Sequence, residues 1–166
     1  MDVALLSLGY KIGMDPAEVR SSVTELATIP FESERRYAAK FYSKGEGSQV
    51  AVKGAVEVVL PMCSSVFTEQ GSAPLDADFV EGEAQELMQQ GYRVLAVAGG
   101  EIAEVPDSPS RHDLKGLTLL GLVGFIDPPR AETKGAIEKA KCAGIKTIMI
   151  TGDHPSTAFT LSLIHI

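Results

Sequence analysis

RYAAKFYS (residues 36–43), KGEG (44–47) and SQVAVK (48–53) decide the fold. Two runs rich in aromatic, β-branched and small apolar residues flank the turn Lys44-Gly45-Glu46-Gly47, which is the pattern of an antiparallel hairpin. Further strands are expected in ELATIPF (25–31), which would place Phe31 in a strand, and in YRVLAVA (92–98). Helices surround them. DVALLSLGYKIG (2–13) sets Ala4, Leu5, Leu8 and Ile12 on one helical face, and Asp15-Pro16-Ala17-Glu18 reads as the capped start of a second helix. A helix broken near Pro61 is expected between Gly54 and Cys63, and a longer one over Asp76 to Gln90, with Asp76 as cap and Gly91 closing it. Helices around an antiparallel sheet define an α+β domain.

The polar stretch from Gly99 to Lys115, with Pro106 and Pro109, reads as a surface loop. Beyond it the pattern changes to a buried strand LTLLGLVGFI (117–126), the stop DPPR (127–130), a helix AETKGAIEKAKCAG (131–144), a strand IKTIMI (145–150) and the loop TGDHPSTA (151–158). A helix crossing over between two apolar strands points to a parallel sheet, whose ligands sit at the carboxyl ends of the strands. A domain boundary is therefore expected near Asp127, dividing the chain into 1–126 and 127–166.

Composition excludes several classes. With 45% hydrophobic and 22% charged residues, the 166-residue chain has the make-up of a packed globular protein, not of a disordered one. A net charge of -7 gives no footprint for a nucleic acid, which is held by clustered Lys and Arg, although basic residues can still converge locally on one small phosphate ligand. Cys63 and Cys142 lack CxxC spacing, so neither zinc nor a disulfide framework is signalled and a reducing cytosol fits best. Residues 117–126 reach only about half of the roughly 20 apolar residues that a membrane helix needs, and Met1 opens no signal peptide. This segment is expected to be soluble.

Residue types at a few positions suit phosphate or base recognition, each with a plain structural alternative. Thr151-Gly152-Asp153 follows an apolar strand, where a hydroxyl and free N–H groups can hold phosphoryl oxygens and a carboxylate can orient water or magnesium; an ordinary capped turn uses the same residues. Lys53 ends a strand before Gly54, so it can meet a phosphate, stack beside a base, or simply be solvated. Phe31 lies near Arg35 and Arg36; an aromatic face stacks on adenine and Arg binds phosphate, but a core Phe beside a charged turn is equally consistent. Arg93 sits inside an apolar strand, where a charge needs a partner or an open cleft, and Glu57 reads as a helix-surface charge. His112, His154 and His165 have no metal-ligand spacing, and neither a P-loop nor a strand-borne GxGxxG occurs.

Taken in order, DVALL, IPFESERR, VKGAVEVVLPMC, GYRVLAVA, LVGFIDPPR and MITGDHPSTA resemble the nucleotide-binding half of P-type ATPases, in particular the P2 group of calcium, sodium-potassium and bacterial magnesium or calcium pumps. The resemblance runs to Ala158 and implies an α+β nucleotide-binding domain with an antiparallel sheet, truncated at its N-terminus, followed by part of a haloacid-dehalogenase-like (Rossmann-like) α/β phosphorylation domain. It implies that Phe31 stacks on adenine, Lys53 and Gly54 line the adenine pocket, Asp2 accepts from the adenine side, and Arg36 and Arg93 approach the phosphates. Thr151 and Gly152 would hold the transferred phosphoryl, Asp153 would help organise Mg2+, and Asp127-Pro128-Pro129-Arg130 would be the hinge between domains.

The family's phosphorylated aspartate, in a DKTGT motif, and its GDGxND motif have no counterpart in these residues, so no catalytic residue or metal ligand is nominated. The expectation is an ATP-binding segment of an ion pump that does not hydrolyse ATP alone. Its partners would be ATP, with Mg2+ in the complete protein, and the actuator, phosphorylation and transmembrane regions of the same polypeptide, whose parent lies in the membrane with this segment on the cytoplasmic side. A stand-alone nucleotide-binding module without catalysis is the alternative. A haloacid-dehalogenase-type phosphatase would need a strand-borne nucleophilic Asp, and Asp76-Ala77-Asp78 begins a helix instead. Phe159 to Ile166 departs from the family pattern and is assigned no role.

Overall fold

The computed structural model describes residues 2–45, 47–126, 132–148 and 150. The hairpin forms as its sequence requires. β2 (Tyr37–Lys44) and β3 (Gly47–Gly54) pair antiparallel from Tyr37 opposite Gly54 to Lys44 opposite Gly47. β1 (Thr24–Ile29) adds to the outer side of β2 with a register shift between Glu25 and Ala27. β6 (Arg93–Ile102) adds antiparallel to β3. β4 (Cys63–Thr68), β5 (Gly71–Pro74) and β7 (Leu117–Phe125) complete a seven-stranded sheet in the order β1-β2-β3-β6-β7-β4-β5. Only the β4–β7 pair has a parallel register among the paired registers described, so the sheet is mostly antiparallel and the domain is α+β.

Alternation along the central strands sorts side chains onto two faces. Tyr37, Ala39 and Phe41 of β2, Val50 and Val52 of β3, and Ala96 and Ala98 of β6 are all buried. Ala38 and Lys40, Ala51 and Lys53, and Leu95 and Val97 take the intervening positions and stay partly or largely open. This open face becomes the floor of the site below.

The helices follow their capping signals. α1 (Asp2–Lys11) buries no residue, and α2 (Pro16–Ser21) starts where Asp15 accepts a hydrogen bond from the Ala17 N–H at 2.8 Å, with Pro16 in its first turn. α4 (Ala77–Gln89) ends at Gly91, whose φ of 88° lets the Tyr92 N–H reach the Leu87 carbonyl and the Gly91 N–H reach that of Met88. α5 (Thr133–Cys142) closes the same way at Gly144, φ 74°, with the Ile145 N–H on the Ala140 carbonyl.

Several expectations are corrected. Phe31 lies two residues past the end of β1, because Pro30 has no N–H with which to continue the ladder. The helix expected from Gly54 shrinks to one turn, α3 (Val56–Val59), and a 3-10 turn over Leu60–Met62, since Gly54 still belongs to β3 and Cys63 already opens β4. The loop expected from Gly99 begins later, because β6 runs through Gly99 and Gly100 to Ile102. Those glycines serve close strand approach. A Cβ on Gly100 would stand 3.1 Å from the Leu117 side chain, and one on Gly99 3.3 Å from the Val50 carbonyl oxygen. The strand expected in IKTIMI is not assigned at 145–148 or 150, where no ladder partner satisfies the backbone among the described residues.

The contacts divide the chain into two units, Met1–Ala77 with Leu95–Val123, and Asp78–Val94 with Gly124–Ile166. The first holds nearly all of the sheet, and the second contains α4 and α5. The expected boundary and hinge at 127–130 lie outside the described residues, as do Thr151, Gly152 and Asp153.

Candidate functional site

The open face of the first unit forms a cleft of ≈ 800 Å³, a volume typical of small-molecule sites. Its floor is made by Ala38 and Ala51, whose small side chains leave room above the sheet, and by Leu95 and Val97 of β6. Lys53 stands in the middle of the floor, paired across the sheet with Ala38 on one side and Val97 on the other. Phe31 comes from the turn after β1 and is 57% exposed, so its ring is available to a planar ligand. Asp2, Val3 and Leu5 bring the start of α1 to the same cleft.

Both lysines of this cleft have carboxylate partners. The Lys53 ammonium donates to Asp2 Oδ1, and this hydrogen bond, together with the lysine charge, holds the Asp2 carboxyl below its ordinary value. Lys40 donates to Glu25 Oε2 at 2.6 Å and Thr28 donates to Glu25 Oε1 at 2.7 Å, which together lower the Glu25 carboxyl. The cleft is thus a largely apolar floor carrying the Lys53 and Lys40 ammonium groups, with one aromatic ring and one carboxylate at its edges.

Asp2, Phe31, Lys53 and Gly54 therefore come together from three separate segments. Gly54 also has a structural requirement of its own. A Cβ there would lie 2.6 Å from the Arg36 carbonyl oxygen and 2.6 Å from the Tyr37 Cβ, so the approach of β2 already demands glycine. Arg36 is not brought into this cleft. It adopts a left-handed backbone, φ 57°, donates from Nη1 to Glu57 Oε1 at 2.6 Å, and lines a different cleft of ≈ 510 Å³. Arg93 opens β6 in the second unit and is not among the residues lining the first cleft.

Some lining residues went unread in the sequence. Ala38, Ala51, Leu95 and Val97 carry no chemical signature, and only the strict alternation of YAAK, VAVK and RVLAVA sets them opposite the buried positions. Glu57 reads as a surface charge, yet it is the ion-pair partner of Arg36, a contact between residues 21 apart that no local pattern reveals. Among the described residues no group of His, Cys, Asp and Glu could hold a metal ion. Burial pushes the Cys63 thiol up to about 11, which keeps it protonated at neutral pH.

The chain belongs to the P-type ATPase family: the family model described as P-type ATPase, cytoplasmic domain N, matches residues 1–132. It is 40% identical over 157 residues to a cation-transporting ATPase of Synechocystis sp., covering 93% of this chain and 17% of that relative. It is 35% identical over 160 residues to a calcium-transporting ATPase of Lactococcus lactis, covering 95% of this chain and 18% of the relative. It is 32% identical over 168 residues to an endoplasmic reticulum calcium ATPase of Aspergillus fumigatus, covering 92% and 17%. The chain thus spans less than a fifth of the length of these relatives. Among the described residues no helix is long and apolar enough to cross a membrane.

Proposed function

We propose that the first cleft binds the adenosine end of ATP, as the nucleotide-reading part of a P-type cation-transporting ATPase of the P2 group. The observation that supports this most directly is the convergence of Asp2, Phe31, Lys53 and Gly54 on one apolar cleft. Adenine stacks on the Phe31 ring, the Lys53 ammonium lies beside the base, and the Asp2 carboxylate accepts from the exocyclic amine. Ala38 and Ala51 form a floor low enough for a planar ring to lie over it. Entry of the base divides Lys53 between Asp2 and the ligand, so the ion pair positions both groups before binding.

The family resemblance implies Arg93 as a partner of the triphosphate; Arg36, which the same resemblance implies, lines the other cleft in this structure. Residues 1–126 are the nucleotide-binding domain, and residues 127–166 begin a haloacid-dehalogenase-like phosphorylation domain in which Thr151 and Gly152 hold the transferred phosphoryl and Asp153 helps organise Mg2+. In the longer polypeptide the γ-phosphoryl passes to an aspartate to drive ion transport across the membrane in which the parent lies, with this segment on the cytoplasmic side. The present 166 residues contain no DKTGT, so this chain binds ATP without turning it over.

Titration with adenosine and with ATP tests the assignment. Phe31→Ala and Lys53→Ala are each expected to weaken both ligands about tenfold. Unchanged affinity in the two variants would sink the cleft assignment, and phosphate release from Mg-ATP by the purified chain would sink the inactive reading.

A further inference from the structure

The second cleft uses a different set of residues. It is lined by Glu34, Arg35, Arg36 and Tyr37 at the entry to β2, by Val58 of α3, and by residues 109–112 from the loop after β6. It shares no lining residue with the first cleft. Tyr37 lines one and Ala38 the other, and as consecutive residues of β2 they point to opposite faces of the sheet. A ligand here does not occupy the nucleotide cleft.

Arg35, Arg36 and Arg111 bring three guanidinium groups to this cleft, half of the six arginines of a chain whose net charge is -7. His112 adds an imidazole N–H, and Glu34 is the one carboxylate in the lining. Glu32 and Glu57 pair with Arg35 and Arg36 but do not line the cleft. Each pair engages one edge of a guanidinium, Nε of Arg35 at 3.2 Å and Nη1 of Arg36 at 2.6 Å, and a guanidinium has five donors. Arg111 forms no ion pair among the described residues.

The backbone that carries these groups is fixed by hydrogen bonds. The Arg36 carbonyl accepts from the Ala55 N–H at 2.9 Å, and its own N–H reaches the Glu32 carbonyl at 2.8 Å, fixing a left-handed residue that costs an L side chain of order 1 kcal/mol. The turn bearing Arg111 and His112 is closed by a capping box in which the Asp113 carboxylate accepts from both the Ser110 N–H, at 2.8 Å, and the Ser110 hydroxyl, at 2.9 Å. Tyr37 and Val58, 3% and 6% exposed, pack beneath the arginines and support the cleft from the buried side of the sheet.

We infer that this cleft is an anion site for a phosphate-bearing small molecule, separate from the adenosine cleft. Guanidinium forks converging from two chain segments match the oxygens of a phosphate. The claim stands apart from the adenosine cleft, because the two clefts share no lining residue and lie on different faces of the sheet.

Pyrophosphate is the probe, titrated into the full chain by calorimetry with and without saturating adenosine. Arg35→Ala and Arg111→Ala are each expected to weaken pyrophosphate about tenfold, and Arg111→Lys, which keeps the charge and loses the fork, by a smaller factor. Lys53→Ala and adenosine are expected to leave it unchanged. Binding weaker than about 1 mM, competition by adenosine, or a loss in Lys53→Ala equal to that in Arg111→Ala would each overturn the inference. Adenosine affinity measured in the same variants reports on the first cleft independently, so failure of one site is distinguishable from failure of the other.

Discussion

In β3, Val50 and Val52 are each 1% exposed, whereas Ile145, Ile148 and Ile150 are 59%, 74% and 93% exposed. Both stretches are rich in β-branched residues, and by composition both read as strands. What separates them is the neighbour. β3 has β2 on one side and β6 on the other, so every second residue turns into a buried face while its backbone is satisfied on both edges. Residues 145–148 have no such ladder among the described residues, and their apolar side chains stay open to water. Strand propensity is a statement about fitting a sheet that already exists.

Substitution at the paired end of this comparison has the largest expected effect. Phe41 is fully buried on β2, and Phe41→Ala removes its ring from the packed face and leaves a cavity. A loss of about 3–5 kcal/mol is expected, read as a lowered midpoint in urea unfolding. A loss below about 1 kcal/mol would show that β2 and β3 do not form the stable centre of the fold.

The same contrast explains how far the sequence could be read. The hairpin, β1 and the body of β6 were legible because their alternation is local and their partners are near in the chain. β4 and β5 were not, since CSSVFT and GSAP are short and polar, and β4 is a strand by virtue of pairing with β7 more than fifty residues later. The continuation of β6 through Gly99 and Gly100 was hidden for a related reason: glycine looks like a break until Val50 and Leu117 are seen to crowd it. At the site, Phe31, Lys53 and Asp2 were nameable from their chemistry and their family context. The assignment of Arg36 to another face, and its pairing with Glu57, depends on a backbone reversal at one residue that no periodicity announces.

Two glycines sharpen the contrast with a single kind of change. Gly54→Ala introduces a Cβ 2.6 Å from the Arg36 carbonyl oxygen in the paired sheet, and is expected to cost about 1–3 kcal/mol. Gly135→Ala falls within α5, where nothing lies within 4 Å of the added carbon, and is expected to stabilise the helix by about 0.5–1 kcal/mol. Unfolding curves read by circular dichroism compare the two directly. Equal signs would mean that backbone entropy, not strand crowding, governs position 54.

Ile148→Ser is expected to have the smallest effect, within about 0.5 kcal/mol in this chain, because a side chain 74% exposed has little burial to lose. Its value lies in being measured twice. The proposed phosphorylation domain requires residues 145–150 to become a strand once neighbouring strands are present, and in a longer polypeptide that supplies them the same isoleucine would then lose burial worth about 1.5–3 kcal/mol. A silent change here and a damaging one in the longer polypeptide would support the reading that this segment waits for partners supplied elsewhere in the chain. A silent change in both would place residue 148 outside any sheet and remove the strand, helix, strand argument for a second domain.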